Sequence, residues 1–185
     1  MTKSATSELD RASAVREPRP FLYLEPAQIP LLSEAIDPVG CEILDAKVTP
    51  SVPALVASFV DYTIARQYRL ELERGNPQPI QLSVLNRRRR SARAWILAIL
   101  GGNVDQPTLH AVATQWIPML AGSGPDLAHV ARPARELTEF VRGAITACIF
   151  DEPAENLLPH ARALHVLEST LAVHLAAVKH VASRI

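Results

Sequence analysis

The C-terminal part of the chain carries the most regular apolar pattern, and this pattern restricts the fold more than any other feature. The positions of the pattern recur in steps of three and four residues, and they are Leu157, His160, Leu164, Leu167, Leu171, His174, Val178 and Val181. This spacing places them on one face of an α-helix. We therefore predict a long helix over about 157–183, whose seam pairs two copies of the chain.

The same helical period runs through most of the sequence before this helix, and strict two-residue alternation is rare. Further helices are predicted over about 51–74, 80–100, 106–120 and 125–150. The pair Gly101–Gly102 ends the second of these, and Pro118 and Pro133 are predicted to bend or break the third and the fourth. The punctuated stretch 37–50 is predicted to be a connector with a short strand or helical piece.

Together these segments predict an all-α fold. Residues 21–185 are expected to form a single irregular helical bundle of about six or seven helices, with a globin-like arrangement as one form of it. Residues 1–20 are polar and of mixed charge, so they are predicted to be a disordered tail.

Composition restricts the classes of function. The chain balances 19 Lys and Arg against 19 Asp and Glu, so no overall field attracts nucleic acid or an anionic membrane. Aromatic residues make up only 5% of the chain, which argues against a surface on which the bases of single-stranded nucleic acid would stack. Cys41 and Cys148 form no CxxC pair, the N-terminus has no apolar signal segment, and the longest apolar run, AWILAIL, is too short to span a bilayer. We therefore expect a cytoplasmic protein without a membrane partner.

The stretch NRRRRSARAW, residues 86–95, is the strongest local departure from this neutral average. Consecutive residues of a helix differ by about 100°, so the four adjacent arginines are predicted to point in four directions rather than form one face. The apolar row of this helix runs through positions 82, 85, 92, 96 and 99. Arg89 completes that row and Arg88 flanks it, so one of these two is predicted to point inward.

Three interpretations of these arginines remain open. In the first, their aliphatic stems lie on apolar surface, and the guanidinium groups of residues such as Arg87 and Arg90 face water or meet carboxylates. In the second, Arg88 or Arg89, with Arg93 one turn away, binds an anionic group in a cavity or at a subunit interface. In the third, the run contacts the phosphates of a nucleic acid, which the neutral net charge and the radial spread of the run disfavour.

Two tryptophans and one histidine are the candidate pocket residues. Trp95 and Trp116 lie on successive helices, and we predict core anchors that would line any internal pocket for a small apolar or aromatic ligand. His174 lies among apolar residues and is the best placed of the six histidines to be an axial haem ligand. Haem is an alternative that we do not favour, because a hydrogen-bonded histidine on a packing face is the default.

Sequence motifs of known catalytic sites are missing from the chain. It contains no HExxH, Glu-x-x-His, Walker A, GxSxG or GxGxxG sequence. We therefore predict no catalytic and no metal-binding residues, and a protein that is not an enzyme.

Three segments in succession resemble the sensor globins of bacteria and the non-haem globin domains that open stressosome regulators. FVDYTIARQYRLELERG resembles an early globin helix, and RRRRSARAWILAILGG resembles the arginine-to-tryptophan helix of globin-coupled sensors with its glycine turn. LHAVATQWIPML falls where those sensors carry the haem-ligating histidine, but here Trp116 stands near that place and His110 lies early in the helix. The resemblance implies a pocket without haem or with a differently placed ligand, in a dimeric sensory or regulatory module without catalytic activity.

The sequence therefore predicts a non-enzymatic regulatory or sensory helical domain that acts through protein–protein contact and self-associates. One alternative is a haem- or small-ligand-binding globin-like protein. The other is a nucleic-acid-binding accessory protein that uses the cluster from Arg87 to Arg93.

Overall fold

The structure is a computed structural model, and it describes residues 36–73, 75, 77, 79–121, 128–151 and 157–182. The helices, in chain order, are α1 (Pro38–Val48), α2 (Val52–Glu73), α3 (Leu82–Leu100), α4 (Gln106–Ala121), α5 (Ala128–Ile149) and α6 (Leu158–Ala182), with a 3-10 turn at Thr49–Ser51 between α1 and α2. These ranges contain no strand, which confirms the predicted all-α class. The predicted tail, 1–20, and the chain up to residue 35 lie outside the described residues.

Helix α1 fills most of the stretch 37–50, where a connector with a short strand or helical piece was predicted. The helical piece is confirmed, and the connector was wrong. The Asp37 side chain caps the helix by accepting a hydrogen bond from the Val39 N–H (3.1 Å). Pro38 stands in the first turn, where its missing N–H has no intrahelical partner to lose. A residue that looked like a break in the sequence is therefore part of a helix start.

Helices α4 and α5 continue through the prolines that were predicted to bend or break them. Pro133 lies inside α5, and α4 runs past Pro118 to Ala121. The buried side of α5 extends without a gap from Val130 to Val141 across that proline. In α5 the packing therefore outweighs the local preference of proline, and a break at either position was wrong.

Helix α6 lies at the centre of the packing, against α1, α4 and α5. Most of the predicted seam is confirmed as a buried apolar face, since Leu167, Leu171 and His174 are at most 2% exposed, but its first position, Leu157, is 65% exposed. This face is used within one chain. It therefore gives no support to the predicted pairing of two copies through this helix.

A glycine sets the distance between α1 and α6. An added Cβ at Gly40 would lie 2.7 Å from Val166 Cγ2 and 2.9 Å from the carbonyl oxygen of Arg162. The backbones of the two helices therefore approach more closely here than any other residue would allow.

A bidentate ion pair joins the same two helices. Arg162 Nε and its terminal nitrogen donate to the two carboxylate oxygens of Asp37, each at 2.6 Å. This hydrogen bonding to Arg162 holds the pKa of Asp37 at about 2, below its ordinary 3.8. The unfolded chain therefore binds a proton at Asp37 before the folded chain does, and stability is lost as the pH falls through this window.

We expect Asp37→Asn to remove that part of the acid sensitivity. Between pH 4 and 2, the wild-type free energy of unfolding should fall more steeply than that of the variant, as measured by chemical denaturation. Asp61→Asn, at an exposed position of α2, is the control and should keep the wild-type slope. Equal slopes for Asp37→Asn and the wild type would contradict the role given to this pair.

Candidate functional site

Helix α3 carries all five arginines of the stretch NRRRRSARAW, and only one of them is buried. Arg88 is 9% exposed, whereas Arg87, Arg89, Arg90 and Arg93 are exposed. Of the two arginines considered for the inward position, Arg88 holds it. The prediction that one of the two points inward is confirmed, and Arg89 is the one that is exposed.

Trp95 sets the register of α3. Trp95 is 5% exposed, and Arg88 lies one heptad before it, so the face that buries the indole also buries Arg88. The predicted apolar row instead started from Leu82, which is the first residue of the helix and is 68% exposed. The heptad spacing from Trp95 was the signal in the sequence that distinguishes Arg88 from Arg89.

The four exposed arginines form what we name the arginine face: Arg87, Arg89, Arg90 and Arg93. At about 100° per residue they fall within about 160° of arc, opposite the buried half of α3. The prediction that the adjacent residues 87–90 do not form one face concerned a set that includes Arg88, and Arg88 does point away from the other three. Once Arg88 is turned inward, the remaining charges lie on one side.

No described carboxylate forms an ion pair with the arginine face. Helix α3 itself contains no Asp or Glu. The ion pairs within the described ranges involve other arginines, which are Arg66, Arg132, Arg142 and Arg162. Because the whole chain is neutral, the acidic side chains that balance α3 lie on other parts of the chain. Within the described part of the chain, four like charges therefore lie together on one side of α3, a grouping that favours anionic groups.

Arg88 lies in a polar network between α2 and α3. Its terminal N–H group donates to the side-chain oxygen of Gln67, and the Gln67 amide donates to Glu71. Burial lowers the pKa of Arg88, the neighbouring charge of Arg87 lowers it further, and Glu71 raises it. Arg88 therefore joins two helices of the fold, and the arginine face is the part of the run that is available to an external anion.

Trp95 and Trp116 are confirmed as core anchors. Their ring centroids lie 4.7 Å apart, and Phe59 of α2 packs edge-on against Trp116 at 4.6 Å. The cavity between the two indoles and His174 measures about 10 Å³. This is about the space that one water molecule needs, so the indoles fill the predicted ligand pocket themselves.

His174 connects α6 to α3 and to the turn after it. The Trp95 Nε1–H donates to His174 Nδ1 (3.0 Å), and the second ring nitrogen, Nε2, donates to the carbonyl oxygen of Asn103 (2.7 Å). Since Nδ1 accepts, the ring is the neutral tautomer with its proton on Nε2. Burial lowers the pKa of His174, against the opposing effects of the Asn103 hydrogen bond and the charge of Asp105.

The residues around His174 do not fit a haem. Both ring nitrogens are engaged in hydrogen bonds, so neither offers a lone pair to an iron atom. The adjoining cavity of about 10 Å³ is far smaller than a porphyrin. We therefore assign His174 a structural role.

A groove near Cys41 is a further cavity in the described part of the chain. This groove of about 310 Å³ lies between the start of α1 and the turn after α3, where Cys41 and Asp105 contribute to its walls. Burial raises the pKa of the Cys41 thiol, and Asp37 adds to that effect, so the thiol stays protonated and is a poor nucleophile. Within the described ranges no group of three or more His, Cys, Asp or Glu is arranged to hold a metal ion.

One described segment is long and apolar enough to cross a membrane, namely Pro38–Glu73 taken through the 3-10 turn. The 18-residue window concerned has a mean hydropathy of 1.3, and 28% of it is buried. We had predicted from the longest uninterrupted apolar run that no stretch is long enough to span a bilayer, whereas this segment meets the criterion with polar residues interspersed. Core helices of soluble proteins meet the same criterion, and α2 packs against α3 with Phe59 and Val60 buried.

Comparisons with protein-family models, with curated proteins and with solved structures found no match.

Proposed function

We propose that this chain is a non-enzymatic regulatory domain that acts through protein–protein contact, and that the arginine face of α3 is its contact surface. The observation that carries this proposal is the position of four exposed arginines on one side of a helix without a single acidic residue. The planar guanidinium group binds carboxylates in a bidentate geometry, which makes it a preferred group at protein interfaces. The expected partner is therefore an anionic protein surface.

Stability does not explain this arrangement. Like charges that are three or four residues apart on a helix repel one another, as Arg89 and Arg93 do, and this repulsion lowers helix stability by a few tenths of a kcal/mol per pair. No described carboxylate offsets that effect through an ion pair. A role in binding a partner accounts for these clustered charges, whereas a role in folding does not.

The finer features of the proposal are supported by the sequence resemblance in three segments. On that basis the chain is a globin-like sensory module of six or seven helices, it is located in the cytoplasm, and it self-associates. Since the α6 seam is buried within one chain, self-association would use another surface. We expect a dimer mass by light scattering at micromolar concentration, and a strict monomer there would remove self-association from the proposal.

The proposal is tested by crosslinking from the arginine face. A photo-reactive amino acid is placed at Arg90, or at the control position His165, which is exposed on α6. We expect a specific protein of the source cell to crosslink from position 90 and not from 165. The added pair Arg89→Glu and Arg93→Glu should abolish that product.

Two outcomes would count against the proposal. If the same products form from positions 90 and 165, the arginine face has no specific partner. If the product from position 90 is nucleic acid and its yield falls steeply with salt, the nucleic-acid alternative replaces the present one.

A further inference from the structure

The centre of the exposed half of α3 has a pattern of its own, which we name the outer stripe. It consists of Leu82, Asn86, Arg89, Arg93 and Leu97, and all five side chains are exposed. The steps between them are four, three, four and four residues, which keeps them in one line along the helix. At about 1.5 Å per residue, the stripe is roughly 22 Å long.

Both ends of the outer stripe are aliphatic. Leu82 is 68% exposed and Leu97 is 41% exposed, while the two arginines lie between them. One exposed leucine is ordinary on a protein surface. A binding partner that matches this pattern has acidic side chains opposite the two arginines and apolar side chains opposite the two leucines.

The spacing of the stripe matches that of a helix. A second helix that crosses at a shallow angle presents side chains in the same steps of three and four residues, so its contacts keep register with the stripe over several turns. Carboxylates on such a helix would reach Arg89 and Arg93. Its apolar residues would remove Leu82 and Leu97 from water.

A nucleic acid fits this pattern less well. Its phosphates repeat along the whole backbone, so they would meet the leucines as well as the arginines. The exposed side chains of the stripe also include no aromatic ring on which a base would stack.

We propose that the outer stripe binds an amphipathic helical segment of a partner protein, whose Asp or Glu side chains pair with Arg89 and Arg93 and whose apolar side chains cover Leu82 and Leu97. This inference rests on the proposed function and adds the chemistry of the partner to it.

The test is a selection of peptides on the full-length chain. A library of random peptides of about 16 residues, long enough as a helix to follow the stripe, is displayed on phage and enriched for binders. The affinities of the enriched peptides are then measured by fluorescence anisotropy. We expect these peptides to carry acidic residues flanked by apolar residues at helical spacing.

Variants of the stripe locate the binding. The pairs Arg89→Glu/Arg93→Glu and Leu82→Ser/Leu97→Ser should each weaken the enriched peptides by roughly tenfold or more. The matched controls change exposed residues elsewhere: Arg69→Glu/Arg135→Glu for the arginines and Leu157→Ser/Leu158→Ser for the leucines. The controls should change affinity less than about twofold, and circular dichroism should show every variant folded.

Each of the remaining outcomes overturns the inference. These outcomes are enriched peptides without acidic residues, full affinity in the leucine variant, and displacement of the peptides by a short DNA duplex. Displacement of the enriched peptides by a synthetic peptide of residues 1–35 would also overturn it, because the chain would then cover its own stripe. A specific protein crosslinked at Arg90 together with enriched peptides that are not acidic would reject this inference and leave the proposed function in place.

Discussion

Replacing His174 by alanine is expected to lower the free energy of unfolding by about 2–5 kcal/mol. The imidazole is 1% exposed, so its removal leaves a cavity at the meeting point of α3, α6 and the turn between α3 and α4. The change also leaves the Trp95 Nε1–H and the Asn103 carbonyl oxygen without their partner. Urea denaturation measures the loss, and a loss below about 1 kcal/mol would contradict this role of His174.

The same histidine should make stability depend on pH. Its folded pKa is depressed below the ordinary 6.5, so the unfolded chain binds the proton first, and stability falls as the pH drops below about 6.5. In His174→Gln the amide can accept from Trp95 and donate to Asn103 without titrating, so we expect a flatter profile. His165→Gln, at an exposed position of the same helix, is the control and should keep the wild-type profile.

Gly40→Ala is expected to destabilise the fold by about 1–3 kcal/mol, although alanine normally favours a helix. The new methyl group would lie 2.9 Å from the carbonyl oxygen of Arg162, which is backbone and can yield only if α1 and α6 separate. The shift of the thermal unfolding midpoint measures this effect.

Gly143→Ala is the matched control for that change. Gly143 lies inside α5, is exposed, and an added Cβ there meets no atom within 4 Å. Alanine should therefore stabilise the protein by roughly 0.5–1 kcal/mol. If Gly40→Ala also stabilised the protein, the close contact between α1 and α6 would be wrong.

The parts of the fold that depend on local signals could be predicted from the sequence. Helices α3 and α6 have a clear apolar period, and the pair Gly101–Gly102 ends α3 as expected, with Gly102 in the left-handed region at φ 60°. The extent of α1 was underestimated because Gly40 looked like a break. The reason for a glycine at this position is the close approach of the α6 backbone, which lies far away in the sequence.

The candidate site could be predicted only in part. The sequence identified the arginine run, but its register depends on Trp95, which a core with Trp116 and Phe59 holds in place. The apolar row that began at Leu82 suggested Arg89 as the inward residue. Leu82 is in fact 68% exposed, and its exposure depends on the packing around the start of α3. The heptad spacing from Arg88 to Trp95 was visible in the sequence, but the packing that makes Trp95 the reference residue joins distant segments and has no signature in a single sequence.

The arginine face should be dispensable for folding. Changing Arg87, Arg89, Arg90 and Arg93 together to glutamine keeps helix propensity and removes repulsion between like charges. We expect the free energy of unfolding to stay within about 0.5 kcal/mol of the wild type or to rise. A loss of more than about 2 kcal/mol would mean that these arginines are structural.

The decisive measurement is the dissociation constant of the partner that crosslinks at Arg90, compared between the wild type and the fourfold glutamine variant. We expect the constant of the variant to be higher by roughly tenfold or more, because the charges that pair with the partner are gone. An unchanged dissociation constant in the folded variant would contradict the claim that the arginine face is the contact surface.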